Sequence, residues 1–189
     1  MTRTKPDFPP YDDLFIYLIH GVFREEDEAL LGNCHHPTTQ ACLKALSIAA
    51  QVNPLRRVFD LGTGTGILAL AAARLGASEV VAVDLNPLCV KTAARNVELN
   101  GLTGIIRMLK ARAEDVADEP ADLIVANIHY EVIKGLLEKN VFRESANLII
   151  SGLMRSQYGD IAVRLKDFGF HLVREWDHDM IWYTVLAGR

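Results

Sequence analysis

Residues 57–75 read RVFDLGTGTGILALAAARL and combine a short apolar run, a glycine-rich turn and a stretch rich in alanine and leucine. The run at residues 57–61 predicts a buried strand, because it is short, apolar and bounded by glycine. Residues 67–75 predict a helix, since alanine and leucine are strong helix formers. Between them, the glycines of residues 62–66 let the backbone turn sharply and approach a ligand closely. The stretch therefore predicts a strand–loop–helix unit with a candidate ligand site in its loop.

The same alternation of short apolar runs and helical stripes continues along the chain. Asn86 and Pro87 are typical of a helix start, and Asn100-Gly101 of a helix end. Because parallel strands joined by helices require right-handed crossovers, this order predicts a doubly wound α/β fold with a mostly parallel sheet. Further strands are expected at residues 79–84, 105–110, 123–128 and 147–153, with helices at 86–100, 132–139 and around 158–165.

The last part of the chain differs from this alternation. Residues 171–176 and 181–186 are predicted to be two strands joined by the polar segment 177–179, and adjacent strands with a tight connection form an antiparallel hairpin. Upstream of the first strand, a helix is expected to start at His36-Pro37, and residues 11–23 are predicted to form another short helix. Both helices could cover the ligand edge of the sheet.

Composition limits the classes of protein to which the chain can belong. Its 189 residues suit one globular domain with a sizeable core, and 20 basic against 24 acidic residues give a net charge of −4. This balance disfavours nonspecific binding to nucleic acid or to an anionic membrane. Three cysteines without a Cys-x-x-Cys spacing favour neither a disulfide framework nor a zinc site, so a reducing cytoplasm is predicted. The sequence contains no apolar run of roughly 18 residues, the length a membrane span requires.

The glycine-rich loop and a second acidic residue together indicate a nucleoside ligand. In doubly wound sheets the ligand lies at the carboxyl ends of the strands, and Asp84 ends the second strand 18 residues after Gly66, where an acidic residue can bind ribose. The glycines alone leave a nicotinamide dinucleotide open, because Ala69 fits the third position of that motif when it is counted from Gly64. Asp60 favours another ligand: its carboxylate would repel a pyrophosphate but could bind an amino group. S-adenosylmethionine has such an α-amino group and no phosphate.

Three segments resemble the class I S-adenosylmethionine-dependent methyltransferases: residues 58–69, the segment VVAVDLNP ending at Pro87, and ARNVELNG ending at Gly101. With HPTT at residues 36–39 and VANI at 125–128, the chain is more narrowly similar to the PrmA-type ribosomal protein methyltransferases, which methylate amino groups of a large-subunit ribosomal protein. The resemblance runs from about Gly32 to the C-terminus. It implies a seven-stranded sheet whose last strand is antiparallel, with S-adenosylmethionine as cofactor.

The resemblance also implies a domain division and roles for individual residues. Residues 1–30 would be an N-terminal helical extension, and residues 31–189 the S-adenosylmethionine-binding methyltransferase domain. PrmA-type enzymes carry a separate N-terminal domain that docks the ribosomal protein, so either the target differs here or the chain is a shortened relative. The implied contacts are Gly62, Gly64 and Gly66 with the methionine part, Asp84 with the ribose, Ala113 and Glu114 near the adenine, Thr38 and Thr39 over the cofactor, and Asn127 at the reacting centre.

The candidate catalytic residues are Asn127 and Tyr130, because an amine acceptor needs oxygen atoms to accept its N–H groups and an aromatic ring can bind a cation. Asn127 could instead cap the following helix, and Tyr130 could be an edge-packing residue. The adjacent Cys34-His35-His36 are unsuited to sharing one metal ion, so no metal is predicted. The function predicted is N-methylation of a protein amine, a lysine or an N-terminus. A methyltransferase acting on small molecules or nucleic acid, and a noncatalytic scaffold, remain alternatives.

Overall fold

Residues 36–116 and 119–189 are described by the structure, a computed structural model. Within these residues seven strands form one sheet: β1 Arg57–Leu61, β2 Glu79–Asp84, β3 Ile106–Lys110, β4 Leu123–Asn127, β5 Asn147–Leu153, β6 His171–His178 and β7 Trp182–Gly188. The helices are α1 Pro37–Val52, α2 Ile67–Arg74, α3 Pro87–Leu99, α4 Tyr130–Leu137, α5 Asn140–Glu144 and α6 Arg155–Asp167, and Ala113–Asp115 forms a 3₁₀ turn.

The strand order is β3-β2-β1-β4-β5-β7-β6, with β7 antiparallel to both of its neighbours and the other pairs parallel. The sheet is therefore mixed and doubly wound, with an antiparallel C-terminal hairpin, as the sequence predicts. The first strand, β1, lies near the middle of the sheet. The next two strands are added on one side of it, out to β3, and β4 is then added on the other side of β1. The carboxyl ends of β1 and β4 consequently flank the switch point, where ligands bind in this class of fold.

Each face of the sheet carries its own hydrophobic core, because side chains of a strand alternate between faces. Val58 of β1 points into the core formed with α1 and α2, where Leu43, Leu46 and Leu70 are almost fully buried. Phe59 points the other way, into the core formed with α4, α5 and α6. Asp60 shares the face of Val58 and is buried against α2, which places a carboxylate beneath the glycine-rich loop.

Several elements differ from the sequence-based expectation. Helix α4 begins at Tyr130, two residues before the apolar stripe that predicts it, and it is followed by the short helix α5, which no sequence pattern predicts. The hairpin strands are longer than expected, because the turn is centred on Asp179 and Met180, which both adopt positive φ angles of 54° and 56°. The predicted helix at residues 11–23 and the extension at residues 1–30 lie outside the described residues. No helix in the described ranges has the length and apolar character needed to cross a membrane.

Candidate functional site

A cleft of about 860 Å³ opens at the carboxyl edge of the sheet, over the switch point. Its walls come from segments that follow the central parallel strands, together with the start of α1 and the start of β7. A smaller recess of about 270 Å³ adjoins the cleft and is lined by residues of α1 and of the glycine-rich loop, Thr39 and Gly64 among them. All these segments meet at one edge because the parallel strands end there, so short motifs distant in sequence become neighbours.

The glycine-rich loop after β1 needs its glycines for different reasons. Gly62 has φ +75°, and a Cβ there would clash with the Cγ2 atom of Ile128. Gly66 has φ +86°, and its Cβ would lie 3.0 Å from the Cβ atom of Ala93, so it allows α3 to pack closely. Gly64 has φ +58°, and a Cβ at this position would meet nothing within 4 Å, which leaves the backbone open towards the recess.

Several N–H groups of this loop already donate hydrogen bonds within the protein. Those of Gly62 and Thr63 donate to the carbonyl oxygen of Val83 at 2.8 and 2.9 Å, and that of Gly64 donates to Oδ2 of Asp84 at 3.0 Å. A loop that binds pyrophosphate presents its N–H groups to the ligand. Here β2 and its terminal carboxylate take up these donors, which disfavours a dinucleotide as the ligand.

Asp84 lines the cleft at the end of β2, with its carboxylate held from two sides. Oδ2 accepts from Gly64, and Oδ1 accepts from the N–H of Asn86 at 2.8 Å. Each carboxylate oxygen can accept a further hydrogen bond. The fixed orientation and the two remaining acceptors suit a pair of neighbouring hydroxyl groups, such as those of a ribose.

Asp60 lies beneath the loop and is 1 % exposed. Its Oδ2 accepts from the hydroxyl of Thr63 at 2.6 Å and from the N–H of Ala69 at 3.0 Å, whereas Oδ1 is buried without a partner among the described residues. Burial raises the pKa of Asp60 to about 6, and the two hydrogen bonds oppose this shift. The carboxylate therefore supports the loop from behind, and Asp60 lines neither the cleft nor the recess. Contact with the cofactor stays a prediction for this residue.

The far wall of the cleft is formed by the 3₁₀ turn after β3. Ala113 and Glu114 both line it, beside Leu85. The carboxylate of Glu114 lies 3.2 Å from the guanidinium of Arg112. A hydrogen bond from its own backbone and this ion pair lower the pKa of Glu114. The turn thus combines an apolar surface from Leu85 and Ala113 with a paired carboxylate, which is compatible with a flat aromatic base that carries polar edges.

The opposite end of the cleft presents two oxygen atoms to one small space. Gly152, near the end of β5, has φ +79°, and a Cβ there would lie 3.2 Å from Oδ1 of Asn127 and 3.5 Å from the carbonyl oxygen of Ile128. Only glycine leaves this space open. The Nδ2 of Asn127 points the other way and donates to Oγ1 of Thr38 at 3.3 Å. The interpretation of Asn127 as a helix cap is wrong, because His129 occupies the N-cap position of α4.

The cleft is also lined by aromatic and flexible side chains: Tyr130, Met154, Gln157 and Trp182. The hydroxyl of Tyr130 donates to Oδ2 of Asp160 at 2.7 Å, and this bond raises the pKa of the phenol. Its ring also has the ammonium of Lys134 at 5.2 Å from its centroid. Tyr130 can therefore offer its ring to an acceptor, while its hydroxyl is engaged with α6.

The cleft brings together most of the residues that the sequence predicts for the site: Thr38, Thr39, Gly62, Gly64, Asp84, Ala113, Glu114, Asn127 and Tyr130. Asp60, beneath the loop, and Gly66, at the end of the loop, line neither the cleft nor the recess. Sequence reasoning missed Gly152 and Trp182, which both line the cleft. The position of Gly152 at the end of a predicted parallel strand was the signal that could have found it. In the ranges that the structure describes, no three His, Cys, Asp or Glu side chains are grouped to hold a metal ion; Cys34 and His35 lie outside those ranges.

Comparison with known proteins gives consistent matches. A family model described as ribosomal protein L11 methyltransferase (PrmA) matches residues 29–189. The chain is 37% identical over 189 residues to the ribosomal protein L11 methyltransferase of Pelotomaculum thermopropionicum, covering 97% of this chain and 58% of the relative. It is 39% identical over 158 residues to that of Desulfitobacterium hafniense, covering 82% and 49%.

A solved structure shows the same relationship in three dimensions. The crystal structure of the ribosomal protein L11 methylase from Lactobacillus delbrueckii subsp. bulgaricus superposes with a TM-score of 0.72 at 32% identity, covering 82% of this chain and 79% of that one. The chain spans about half the length of the curated relatives it matches. The part that is matched contains the whole sheet and the cleft described above.

Proposed function

Because the chain belongs to the ribosomal protein L11 methyltransferase (PrmA) family, we propose that its cleft binds S-adenosylmethionine and transfers the methyl group to an amine of a protein. The names of the relatives make a ribosomal protein the first substrate to test, with a lysine or an N-terminal amine as the acceptor. A substrate of that kind would place the reaction in the cytoplasm.

The residues of the cleft fit this cofactor in chemical terms. Asp84 would accept from the ribose hydroxyls, and Leu85, Ala113 and Glu114 would line the adenine site. The recess between Thr39 and Gly64 would receive the methionine part. Asp60 lies beneath the loop, and with a pKa of about 6 it is largely ionised at neutral pH, so its negative charge would favour the cationic α-amino group. When bound, S-adenosylmethionine supplies a methyl group activated by its sulfonium.

The residues near Gly152 would orient the amine that accepts the methyl group. An amine reacts only after it loses a proton, and for a lysine with the ordinary pKa of about 10.4 this costs roughly 4–5 kcal/mol at pH 7, so a dedicated strong base is not obligatory. What the amine requires is a fixed direction for its lone pair. Oδ1 of Asn127 and the carbonyl oxygen of Ile128 can accept its N–H groups, and the rings of Tyr130 and Trp182 can enclose its carbon chain.

The observation that carries the proposal is the pair of oxygens at Gly152, at the end of a cleft whose other half is lined by the glycine-rich loop and Asp84. A hydride-transfer site would need no such pair of acceptors. The transfer forms a bond between the amine nitrogen and the methyl carbon and breaks the carbon–sulfur bond. The amine proton leaves to solvent, and S-adenosylhomocysteine remains as the product.

Isothermal titration calorimetry tests the cofactor class. We expect S-adenosylmethionine and S-adenosylhomocysteine to bind and NAD⁺ and NADP⁺ not to bind. Asp84→Asn should weaken binding at least tenfold, because a hydroxyl acceptor is lost at the ribose. Asp122→Asn is the matched control: Asp122 also accepts two backbone N–H groups, from Arg56 and Arg57 at 2.8 Å, but at the opposite edge of the sheet. Binding of the dinucleotides alone would exclude the proposed function.

A further inference from the structure

His36 is connected to Asn127 by a chain of hydrogen bonds. It is the N-cap residue of α1, and its Nδ1 atom lies 3.4 Å from the backbone nitrogen of Thr38 and 2.7 Å from Oγ1 of the same residue. A backbone N–H can only donate, so Nδ1 must be the acceptor and carries no proton. The tautomer with the ring proton on Nε2 fits this arrangement, and the hydroxyl of Thr38 then donates to Nδ1.

This assignment settles the direction of the next hydrogen bond. The hydroxyl of Thr38 has a single proton, which it donates to His36, so towards Asn127 it can only accept. Asn127 must then present Nδ2, which lies 3.3 Å away, and its Oδ1 faces the space at Gly152. Thr38 is 4 % exposed, whereas the His36 end of the chain is exposed to solvent. The amide orientation follows from the network rather than from the shape of the side chain alone.

We propose that His36 is a positioning residue for methyl transfer: acting through Thr38, it holds the amide of Asn127 with its oxygen towards the acceptor amine. The inference rests on the proposed function and adds a residue to it. If Nδ1 could not accept, the proton of the Thr38 hydroxyl would be free to turn towards Asn127. The amide could then reverse and present its NH₂ group to the N–H groups of the amine, which is a repulsive arrangement.

The ring of His36 is also held on its other side. It makes an edge contact with Trp182, with ring centroids 5.8 Å apart and an interplanar angle of 67°. Trp182 lines the cleft at the start of β7. The contact fixes the plane of the imidazole, so that Nδ1 points at Thr38. The contact also joins the start of α1 to the start of β7. We call the part of the cleft formed by the start of α1, the ends of β4 and β5 and the start of β7 the acceptor wall.

Three substitutions separate helix capping from positioning. His36→Asn keeps a helix cap and places an oxygen close to the position of Nδ1. His36→Ser also keeps the cap, but its side chain is too short to accept the hydrogen bond from the hydroxyl of Thr38. His36→Ala removes both the cap and this acceptor. We expect the thermal stability of the Asn and Ser variants to exceed that of the Ala variant. The kcat for methyl transfer should stay within about threefold for Asn and fall at least tenfold for Ser and Ala. The Kd for S-adenosylhomocysteine should change less than about threefold in all three.

The matched control is His171→Ala, since His171 lies at the start of β6, paired with Gly188 at the far edge of the sheet. It should leave kcat unchanged. If kcat instead follows stability, so that the Ser variant is as active as the Asn variant, His36 is only a cap and the inference is wrong. The same conclusion follows if the effects of His36→Ala and Thr38→Val on kcat multiply, because residues in one chain of bonds give less than the product.

A readout independent of activity uses ¹⁵N nuclear magnetic resonance of the histidine rings. At neutral pH the Nδ1 atom of His36 should give the signal of an unprotonated ring nitrogen, and Thr38→Val should reduce this preference. A ring protonated at Nδ1 would overturn the inference. This experiment also separates the two proposals. If the wild-type protein transfers no methyl group, the proposed function fails, whereas the tautomer still reports whether the hydrogen-bond chain exists.

Discussion

Gly152 is the residue whose replacement bears most directly on the acceptor side of the cleft. It combines a positive φ angle with a space that two oxygen atoms border. A side chain at this position is unfavourable for two reasons: the positive φ angle strains any residue other than glycine, and the Cβ atom would lie close to oxygen atoms of Asn127 and Ile128. The irregular pairing of β5 and β7 between Ile150 and Leu153 allows this conformation near the end of a strand.

Gly152→Ala should lower the rate of methyl transfer at least tenfold, while the Kd for S-adenosylmethionine changes less than about threefold. The added methyl group would occupy the space proposed for the amine, at 3.2 Å from Oδ1 of Asn127. Gly159→Ala, in α6, is the control, because its Cβ would meet nothing within 4 Å and its φ is not positive. Steady-state kinetics and calorimetry on both variants measure the effect. Equal rates for the two variants would remove the Gly152 space from the mechanism.

Two of the predicted cleft residues have positions that follow from the strand ends alone. Asp84 and Asn127 each close a parallel strand, so their presence at the ligand edge could be predicted without a structure. Trp182 and His36 could not be predicted in this way. Trp182 reaches the cleft because β7 runs antiparallel and therefore starts, rather than ends, at that edge. The role of His36 depends on a distance of 2.7 Å that no sequence pattern contains.

Among the structural elements, β1 holds the buried carboxylate of Asp60, which makes the stability of the protein depend on pH. Asp60 has a pKa of about 6 in the folded protein because of its burial, against 3.8 for an exposed carboxyl. Between these pH values the folded state keeps a proton at Asp60 that the unfolded chain has released. The free energy of unfolding therefore decreases as the pH rises through this interval, and the loss is complete above the folded-state pKa.

The difference in unfolding free energy between the wild type and Asp60→Asn should therefore depend on pH. From pH 4 to pH 7 we expect the wild type to lose up to about 3 kcal/mol relative to the variant, the value that corresponds to a shift of about two pKa units. Urea unfolding of both proteins without cofactor, at several pH values, measures this difference. A difference that stays constant over the range would show that Asp60 does not titrate as its burial implies.

Helices α4 and α5 are two elements that local sequence patterns predict incompletely or not at all. The apolar stripe of α4 predicts a start at residue 132, but the helix starts at Tyr130, ahead of that stripe. Tyr130 is fixed there by Asp160 of α6, a contact between residues 30 positions apart. Likewise, the separate helix α5 has only five residues and too short a pattern for detection. Strand positions are easier to predict, because buried parallel strands are nearly continuous apolar runs.

For the molecule as a whole, the order of elements is sufficient to predict the doubly wound sheet and its antiparallel hairpin. The order in which the strands lie side by side then places the switch point between β1 and β4, and this places the cleft. Sequence order could not supply the arrangement of the acceptor wall, since that wall combines the start of α1 with the ends of β4 and β5 and the start of β7. The family shares this domain, and the chain spans about half the length of its curated relatives.

Transfer of a labelled methyl group from S-adenosylmethionine tests the central claim most directly. Purified protein is incubated with the labelled cofactor and purified ribosomal protein L11, with parallel reactions on RNA and on small amines, and labelled residues are identified by mass spectrometry. We expect label on an amine of the protein substrate, a loss of at least tenfold for Asn127→Ala, and cofactor binding by that variant within about tenfold. Absence of label from every acceptor, or label confined to RNA or to small molecules, would contradict the account.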